Sequence, residues 1–329
     1  RKFMNIIFFG TPGFAAQILL DLCNENHNIM AIVSAPDKEK GRGKKIISTA
    51  VKQKGEELGI EVLTPLNLKD EEFIKKLKSY NADLFVVVAF RMLPKSVWSI
   101  PKKGTINLHT SLLPNYRGAA PINRVLINNE KETGITTFYI DDKIDCGEIL
   151  FQEKVELDIN TTAAKLHNIL MNKGSDLLVK TITNIEKNNI NPISQNNDLS
   201  ITEAPKLTKE IQKINWDKSA LEIHNLVRGL SPSLSANELL KDVSICPSAW
   251  FTFKNPDGNE IRTKLLLSEF NTETNNNILR IESDNKSYLK VNLKEGSILI
   301  KKLQISGKNP MNIKQFLLGN KINEKWEIL

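Results

Sequence analysis

The sequence predicts an α/β protein: a Rossmann-like, doubly wound, mainly parallel sheet followed by a C-terminal OB-like β-barrel. Three observations lead there. The first half alternates short, continuous apolar runs with amphipathic helical patterns, as βαβ units with buried strands do. The last third instead carries short strands joined by turns, the pattern of a small antiparallel barrel. The chain has 329 residues, room for two domains at roughly 100–200 residues each.

The elements follow in order. NIIFFG (5–10) reads as a buried strand, and Gly10-Thr11-Pro12-Gly13 turns it into a helix with Phe14, Ile18, Leu19 and Leu22 at helical spacing. IMAIVSA (29–35) is a second strand, 50–59 a polar helix, and IEVLTP (60–65) a third strand. DEEFIKKLKSYN (70–81) is an amphipathic helix with acids in its first turn, where the helix dipole favours them. ADLFVVVAF (82–90), the start of GTINLHTSLLP (104–114), GITTFYI (134–140) and EILFQEKVEL (148–157) are further strands. Residues 160–187 read as one helix with Leu166, Ile169, Leu170, Leu177 and Leu178 on a single face. Residues 188–206 are polar, Asn-rich and interrupted by two prolines, which marks a linker. The domains are therefore 1–187, a linker 188–206, and 207–329. In the last, Asn255-Pro256-Asp257-Gly258 is a turn between two strands, and ILRIES, SYLKVNL and SILIKKLQI are three more.

Composition narrows the class. The chain is 40% hydrophobic and 25% charged, an ordinary globular balance. No apolar run reaches the roughly 18–20 residues of a membrane span, and the first run is too short for a signal-peptide core. Cys23, Cys146 and Cys246 lie far apart, with neither a disulfide framework nor metal-ligand spacing, so a cytoplasmic protein without a metal is expected. The net charge of +7 permits a nucleic-acid partner without requiring one. Residues 38–54 hold seven basic side chains and one acidic, and 301–314 hold four basic and none acidic. Each run is read either as a solvated face or as a phosphate-binding footprint.

Two glycine loops fail as nucleotide sites. Gly10-Thr11-Pro12-Gly13 lacks the GxGxxG spacing. A P-loop at 38–45 would need Gly at 38 and Ser or Thr at 45, and both are Lys. Residues 104–150 are more informative. Asn107 and His109 are two apart near a strand end, so they share a face, and ligands bind at such strand ends in open α/β sheets. His109 suits general acid–base work, and Asn107 offers a neutral donor for an oxyanion. A satisfied structural histidine is the competing reading. Asp141, Asp142 and Asp145 lie in the following turn, where one acid could orient His109.

The run NLHTSLLPNYRGAAPIN closely resembles the signature of the folate-dependent formyltransferases, and GITTFYIDDKIDCGEIL resembles their second signature. NIIFFGTPGFA, VVVAFRMLP and GRGKK resemble the family's opening turn, folate loop and inserted basic loop, in that order along the chain. LQISGKNPMNIKQFL resembles the tail of the branch whose acceptor is methionine on initiator tRNA. The resemblance implies 10-formyltetrahydrofolate as formyl donor, with Asn107, His109 and Asp145 as catalytic residues. It implies folate binding at Ser111, Leu112, Leu113 and Pro114, near Ala89, Phe90 and Arg91, and at the turn with Asp141 and Asp142. Phe90-Arg91 departs from the Tyr-Gly found there in many members. A monomer that binds initiator Met-tRNA through Arg42, Lys44, Lys45, Lys301, Lys302 and Lys308 is implied too. The alternatives are a sugar-nucleotide N-formyltransferase with the same three polar residues, a formyl-folate hydrolase, and a folate- or RNA-binding protein without catalysis.

Overall fold

The computed structural model describes residues 3–196, 200–241, 244–274 and 280–329. The chain divides into two compact units: 1–118, 132–156 and 167–204 form one, and 119–131, 157–166 and 205–329 the other.

In the first unit, β1 (Asn5–Gly10) leads through Pro12 into α1 (Gly13–Asn24). β2 (Asn28–Val33), the hairpin strands β3 (Lys38–Lys40) and β4 (Lys45–Ile47), α2 (Ala50–Glu57) and β5 (Val62–Leu63) follow. Then come α3 (Glu71–Ser79), β6 (Leu84–Val88), α4 (Lys95–Trp98) and β7 (Thr105–His109). Local chemistry sets several helix starts. The Thr49 and Asp70 side chains accept the amides of Lys52 and Phe73, capping α2 and α3.

α5 (Pro121–Ile127) belongs to the second unit; β8 (Glu132–Tyr139) and β9 (Ile149–Glu156) return to the first. The sheet order is β5-β2-β1-β6-β7-β8-β9. Its first five strands pair in parallel, and β8 and β9 join antiparallel. The mainly parallel sheet is thus as expected, with an antiparallel edge. Its central strands are buried, Ile7, Phe9, Phe85 and Val87 forming part of one apolar cluster. Gly10 is required at the end of β1: a Cβ there would stand 2.7 Å from the Ala15 Cβ and 2.9 Å from the Val88 carbonyl.

α6 (Ala163–Glu186) matches the long helix. Leu166, Leu170, Leu177 and Leu178 are buried, but Ile169 is 39% exposed, so it lies off the apolar stripe. The segment read as a linker is also partly built in: Ile193 pairs with Ile149 in a backbone bridge, and Gln195 is buried.

The second unit adds α7 (Lys209–Gln212) and α8 (Ala220–Leu230), the latter closed by a Ser219–Glu222 capping box. β10 (Ala249–Lys254), β11 (Glu260–Asn271), β12 (Ile281–Ser283), β13 (Leu289–Asn292) and β14 (Ser297–Ile305) follow. β15 (Met311–Asn312), α9 (Ile313–Gly319) and β16 (Glu327–Ile328) end the chain. The order β12-β13-β14-β11-β10-β16, with β15 on β14, makes the antiparallel barrel-like sheet foreseen. It surrounds Phe251, Phe253, Phe316 and Trp326, with ring centroids 4.7–5.7 Å apart along the chain of contacts. Among the described residues no helix is long and apolar enough to cross a membrane.

Candidate active site

The site forms where β1, β6 and β7 end. Register places Gly10 beside Val88 and Asn107 beside Val87, so the loops after these strands open on one edge of the sheet. β6 breaks off at Ala89, held in the left-handed region at φ 50°. A non-glycine residue there costs about 1–2 kcal/mol, which the surrounding sheet offsets.

Asn107 is half-buried, and its amide makes no hydrogen bond among the described residues. His109 is 7% exposed. Its Nε2 lies 2.7 Å from the Tyr116 carbonyl, which only accepts, so Nε2 carries a proton. Nδ1 is then the ring nitrogen open to further chemistry, and it faces the Asp145 carboxylate at 3.8 Å. The Asp145 Oδ2 accepts the Gly118 amide at 3.0 Å. Asn107, His109 and Asp145 are thus anchored at one strand edge and the turn beside it, from stretches of chain 38 residues apart.

The turn bearing Asp145 is sterically tight. Asp145 itself has φ 52°. Gly147 admits no side chain, because a Cβ would fall 1.6 Å from the Tyr139 carbonyl oxygen. Two side chains absent from the sequence-based reading hold this turn. Arg117 Nε donates to the Asp145 carbonyl at 3.1 Å, and Gln195 Nε2 donates to the same carbonyl at 2.9 Å. Gln195 lies in a polar, Asn-rich stretch with no local signal of burial. Arg117 stands within the first signature.

The other predicted positions divide. Ser111 is fully buried, and its hydroxyl donates to the Asn115 carbonyl at 2.7 Å, closing the loop on itself. The Ser111 carbonyl and the Leu113 amide are tied to Thr136 Oγ1 at 2.7 and 3.2 Å, and Gln152 Nε2 donates to the Leu113 carbonyl at 2.8 Å. Leu113 is buried, while Leu112 and Pro114 are half-buried; the Leu113–Pro114 bond is cis. Ser111 to Pro114 therefore form a stitched platform after β7. Phe90 packs its ring edge-on to Phe9 at 5.7 Å. The Arg91 guanidinium donates to the carbonyls of Pro65 and Leu66 at 2.8 and 3.2 Å, so its side chain is engaged by the 65–66 loop. Asp141 and Asp142 are exposed, and the Asp141 carboxylate accepts the Lys143 amide at 2.8 Å.

The basic loop is a hairpin. Lys40 pairs with Lys45, and Arg42 and Lys44 sit in the exposed turn between β3 and β4. On the barrel, Lys301 is exposed and lies 3.5 Å from Glu269, and Lys308 is exposed. Lys302 departs from the expectation of a surface cation. It is 8% exposed, it donates to the Ala236 carbonyl at 2.7 Å, and burial lowers its ammonium pKa. The reason is strand geometry: neighbours on β14 project to opposite faces, so 301 and 302 cannot both face water. A further cationic spot went unread. Trp250 on β10 has Arg262 stacked at 3.8 Å from its ring centroid and Lys213 at 5.6 Å.

Comparison with known proteins places the chain in a family. Residues 4–182 match the formyl transferase family model, and residues 206–321 match the model of the formyl transferase C-terminal domain. The chain belongs to the formyl transferase family. The methionyl-tRNA formyltransferase of Flavobacterium johnsoniae is 42% identical over 316 residues, 96% of each chain. That of Clostridium beijerinckii is 43% identical over 323 residues, 98% of each. Within the family this chain groups with the methionyl-tRNA formyltransferases. Among solved structures, a sugar 3N-formyl transferase crystallised in the presence of dTDP and 5-N-formyl-THF superposes with TM-score 0.62 at 21% identity. That match covers 94% of this chain and 100% of the other. An N-formyltransferase from Helicobacter canadensis, in complex with folinic acid and dTDP-3-aminofucose, gives 0.60 at 22% identity over 90% and 98%. These two share the fold.

Proposed function

We propose that this chain transfers the formyl group of 10-formyltetrahydrofolate to the α-amino group of methionine on initiator tRNA, as a cytoplasmic monomer. The observation that carries this reading is the open Asn107 amide beside the His109–Asp145 pair, in a chain 42% identical to one methionyl-tRNA formyltransferase along nearly its whole length.

The residues present fit a folate donor. A pterin needs amide-like donors and acceptors at its edge, and the exposed strand-end backbone at Ala89 supplies them. Loop 111–114 and the 141–145 turn are the adjoining walls of this reading. When bound, the folate supplies a formyl carbon as electrophile. The methionine α-amine has a pKa of about 8, so a sizeable neutral fraction is present to attack it. Negative charge then gathers on the formyl oxygen. Asn107 donates its amide N–H to that oxygen, and a donor of this kind is worth about 3–4 kcal/mol of barrier. His109, with Nε2–H committed to Tyr116, donates to the same oxygen from Nδ1 when its ring is protonated. Asp145 stabilises the protonated ring while the proton lost by the attacking amine passes by way of this pair to N10 of the folate, so that the C–N10 bond breaks as the tetrahedral centre collapses and tetrahydrofolate leaves; acid–base help of this kind is worth roughly 100- to 10,000-fold.

The tRNA meets the exposed cations of the hairpin, Arg42 and Lys44 in its turn and Lys45 on β4, and Lys301 and Lys308 of the barrel. Lys213 and Arg262 around Trp250 join them in this reading. Affinity then falls steeply with added salt.

The test is a formyl-transfer assay with 10-formyltetrahydrofolate and charged initiator Met-tRNA, run beside His109→Ala. Transfer by the wild type and a loss of several hundredfold or more in the variant are expected. A wild type that binds folate yet leaves Met-tRNA unformylated sinks the acceptor assignment, and amino-sugar nucleotides become the next acceptors to try.

A further inference from the structure

The carboxylate assigned to catalysis rides on a turn that its own neighbours do not hold. Within the turn, the Cys146 amide reaches the Lys143 carbonyl at a long 3.4 Å, and the Cys146 thiol reaches the Ile144 carbonyl. The backbone at Asp145 is left-handed. The remaining fixation comes from distant residues, and both amide ends of Gln195 take part. Gln195 Nε2 donates to the Asp145 carbonyl at 2.9 Å and to the Gly147 carbonyl at 2.8 Å, gripping the carbonyls on either side of Cys146. Gln195 Oε1 accepts Arg117 Nη2 at 2.6 Å and Nε at 3.2 Å. Arg117 Nε also reaches the Asp145 carbonyl, and the next residue, Gly118, gives its amide to the Asp145 carboxylate. Gln195 is 8% exposed, so these bonds are shielded from competing water.

The segment carrying Gln195 is itself fastened. Ile193 exchanges two backbone hydrogen bonds with Ile149 at 2.8 and 2.9 Å. Further along, the Thr202 carbonyl accepts the Tyr116 amide at 2.6 Å, and the Ala204 amide donates to the Arg117 carbonyl at 2.7 Å. Tyr116 is also the residue whose carbonyl takes His109 Nε2. The segment thus reaches both members of the His109–Asp145 pair, the histidine through Tyr116 and the aspartate through Gln195.

We infer that Gln195 is a positioning residue for the transfer reaction, setting the Asp145 carboxylate against His109 by holding its turn through two carbonyls and Arg117. This rests on the formyl-transfer reading. Glutamine suits the task because one planar group offers two donors and an acceptor. A glutamate keeps the Arg117 contact but sets carboxylate oxygen against two carbonyls.

The experiment measures kcat, both KM values and the pH–rate profile for Gln195→Ala and Gln195→Glu, each also in an Asp145→Asn background. Misplacement by about an ångström costs up to 100-fold. Both single variants are therefore expected to lose roughly 10- to 100-fold in kcat, with KM for folate and tRNA within about threefold and a displaced limb in the pH–rate profile. In the Asp145→Asn background the same changes cost less than about threefold, because the residue acts through that carboxylate. A kcat within twofold of wild type in the single variants overturns the inference. So does a loss that persists in full beside Asp145→Asn. If the alanine variant does not fold, the near-isosteric glutamate carries the test. A wild type silent in transfer instead overturns the functional reading, which separates the two failures.

Discussion

His109 and His224 lie in different units, yet both are buried, at 7% and 2% exposure. Both also set Nε2 against a backbone carbonyl, that of Tyr116 at 2.7 Å and that of Ile159 at 3.0 Å. They differ at the other nitrogen. His224 Nδ1 meets the Ser268 hydroxyl at 2.9 Å, and its ring lies 4.8 Å from Phe270. Every polar atom is satisfied, and burial pushes this imidazole's pKa below its ordinary value. His109 Nδ1 faces a carboxylate at 3.8 Å, beyond hydrogen-bond reach. Its bonding is incomplete, and beside it stands an asparagine amide with no partner among the described residues. A buried histidine with both nitrogens filled has a structural role; the open nitrogen beside an acid is what supports the acid–base role proposed for His109.

His224→Ala removes a histidine whose polar atoms are all satisfied. It strands the Ser268 hydroxyl and the Ile159 carbonyl, so a stability loss of about 1–3 kcal/mol is expected in urea unfolding. Transfer by the molecules that remain folded is expected to stay near wild type. A large fall in turnover without loss of stability would contradict the division of labour drawn here.

Exposed cations offer a milder contrast. Arg42, in the turn of the β3–β4 hairpin, has no acidic partner among the described residues. Arg42→Ala is expected to raise KM for tRNA severalfold and to flatten its dependence on salt, with folate affinity unchanged. An equal loss of folate binding removes Arg42 from the tRNA surface.

The smallest effect concerns pH. The His224 pKa is lowered in the fold, so between that value and about 6.5 the unfolded chain binds a proton that the native chain does not. Stability therefore falls as pH drops below about 6.5. Melting curves from pH 8 to 5 are expected to show a shallower decline for His224→Gln than for wild type. Identical slopes would show that other groups set the acid sensitivity.

Legibility followed the range of the interactions. Asp70 with Glu71 and Glu72 announced α3 within four residues, and the structure caps it there. No element was foreseen between residues 114 and 134, yet α5 lies there, with Pro121 at its first turn, where proline often begins a helix. The hairpin 38–47 read as a charge run, because two three-residue strands give no period to detect. The polar linker was the largest misjudgement. Its composition is that of a solvated segment, yet Gln195 is buried in the catalytic unit.

Sequence alone established the alternation of the main strands and helices, the buried character of the central sheet, the shared face of Asn107 and His109, and the family. These rest on periodicity, turn chemistry and contiguous motifs, which act over a few residues. Folding in three dimensions set Asp145 opposite His109, placed Arg117 and Gln195 against its turn and turned Lys302 inward. The contacts that hold the turn close across 28, 50 and 78 residues of chain, and the Lys302 contact with Ala236 closes across 66. Each polar atom takes whichever partner the folded chain brings within about 3 Å, which local composition does not encode.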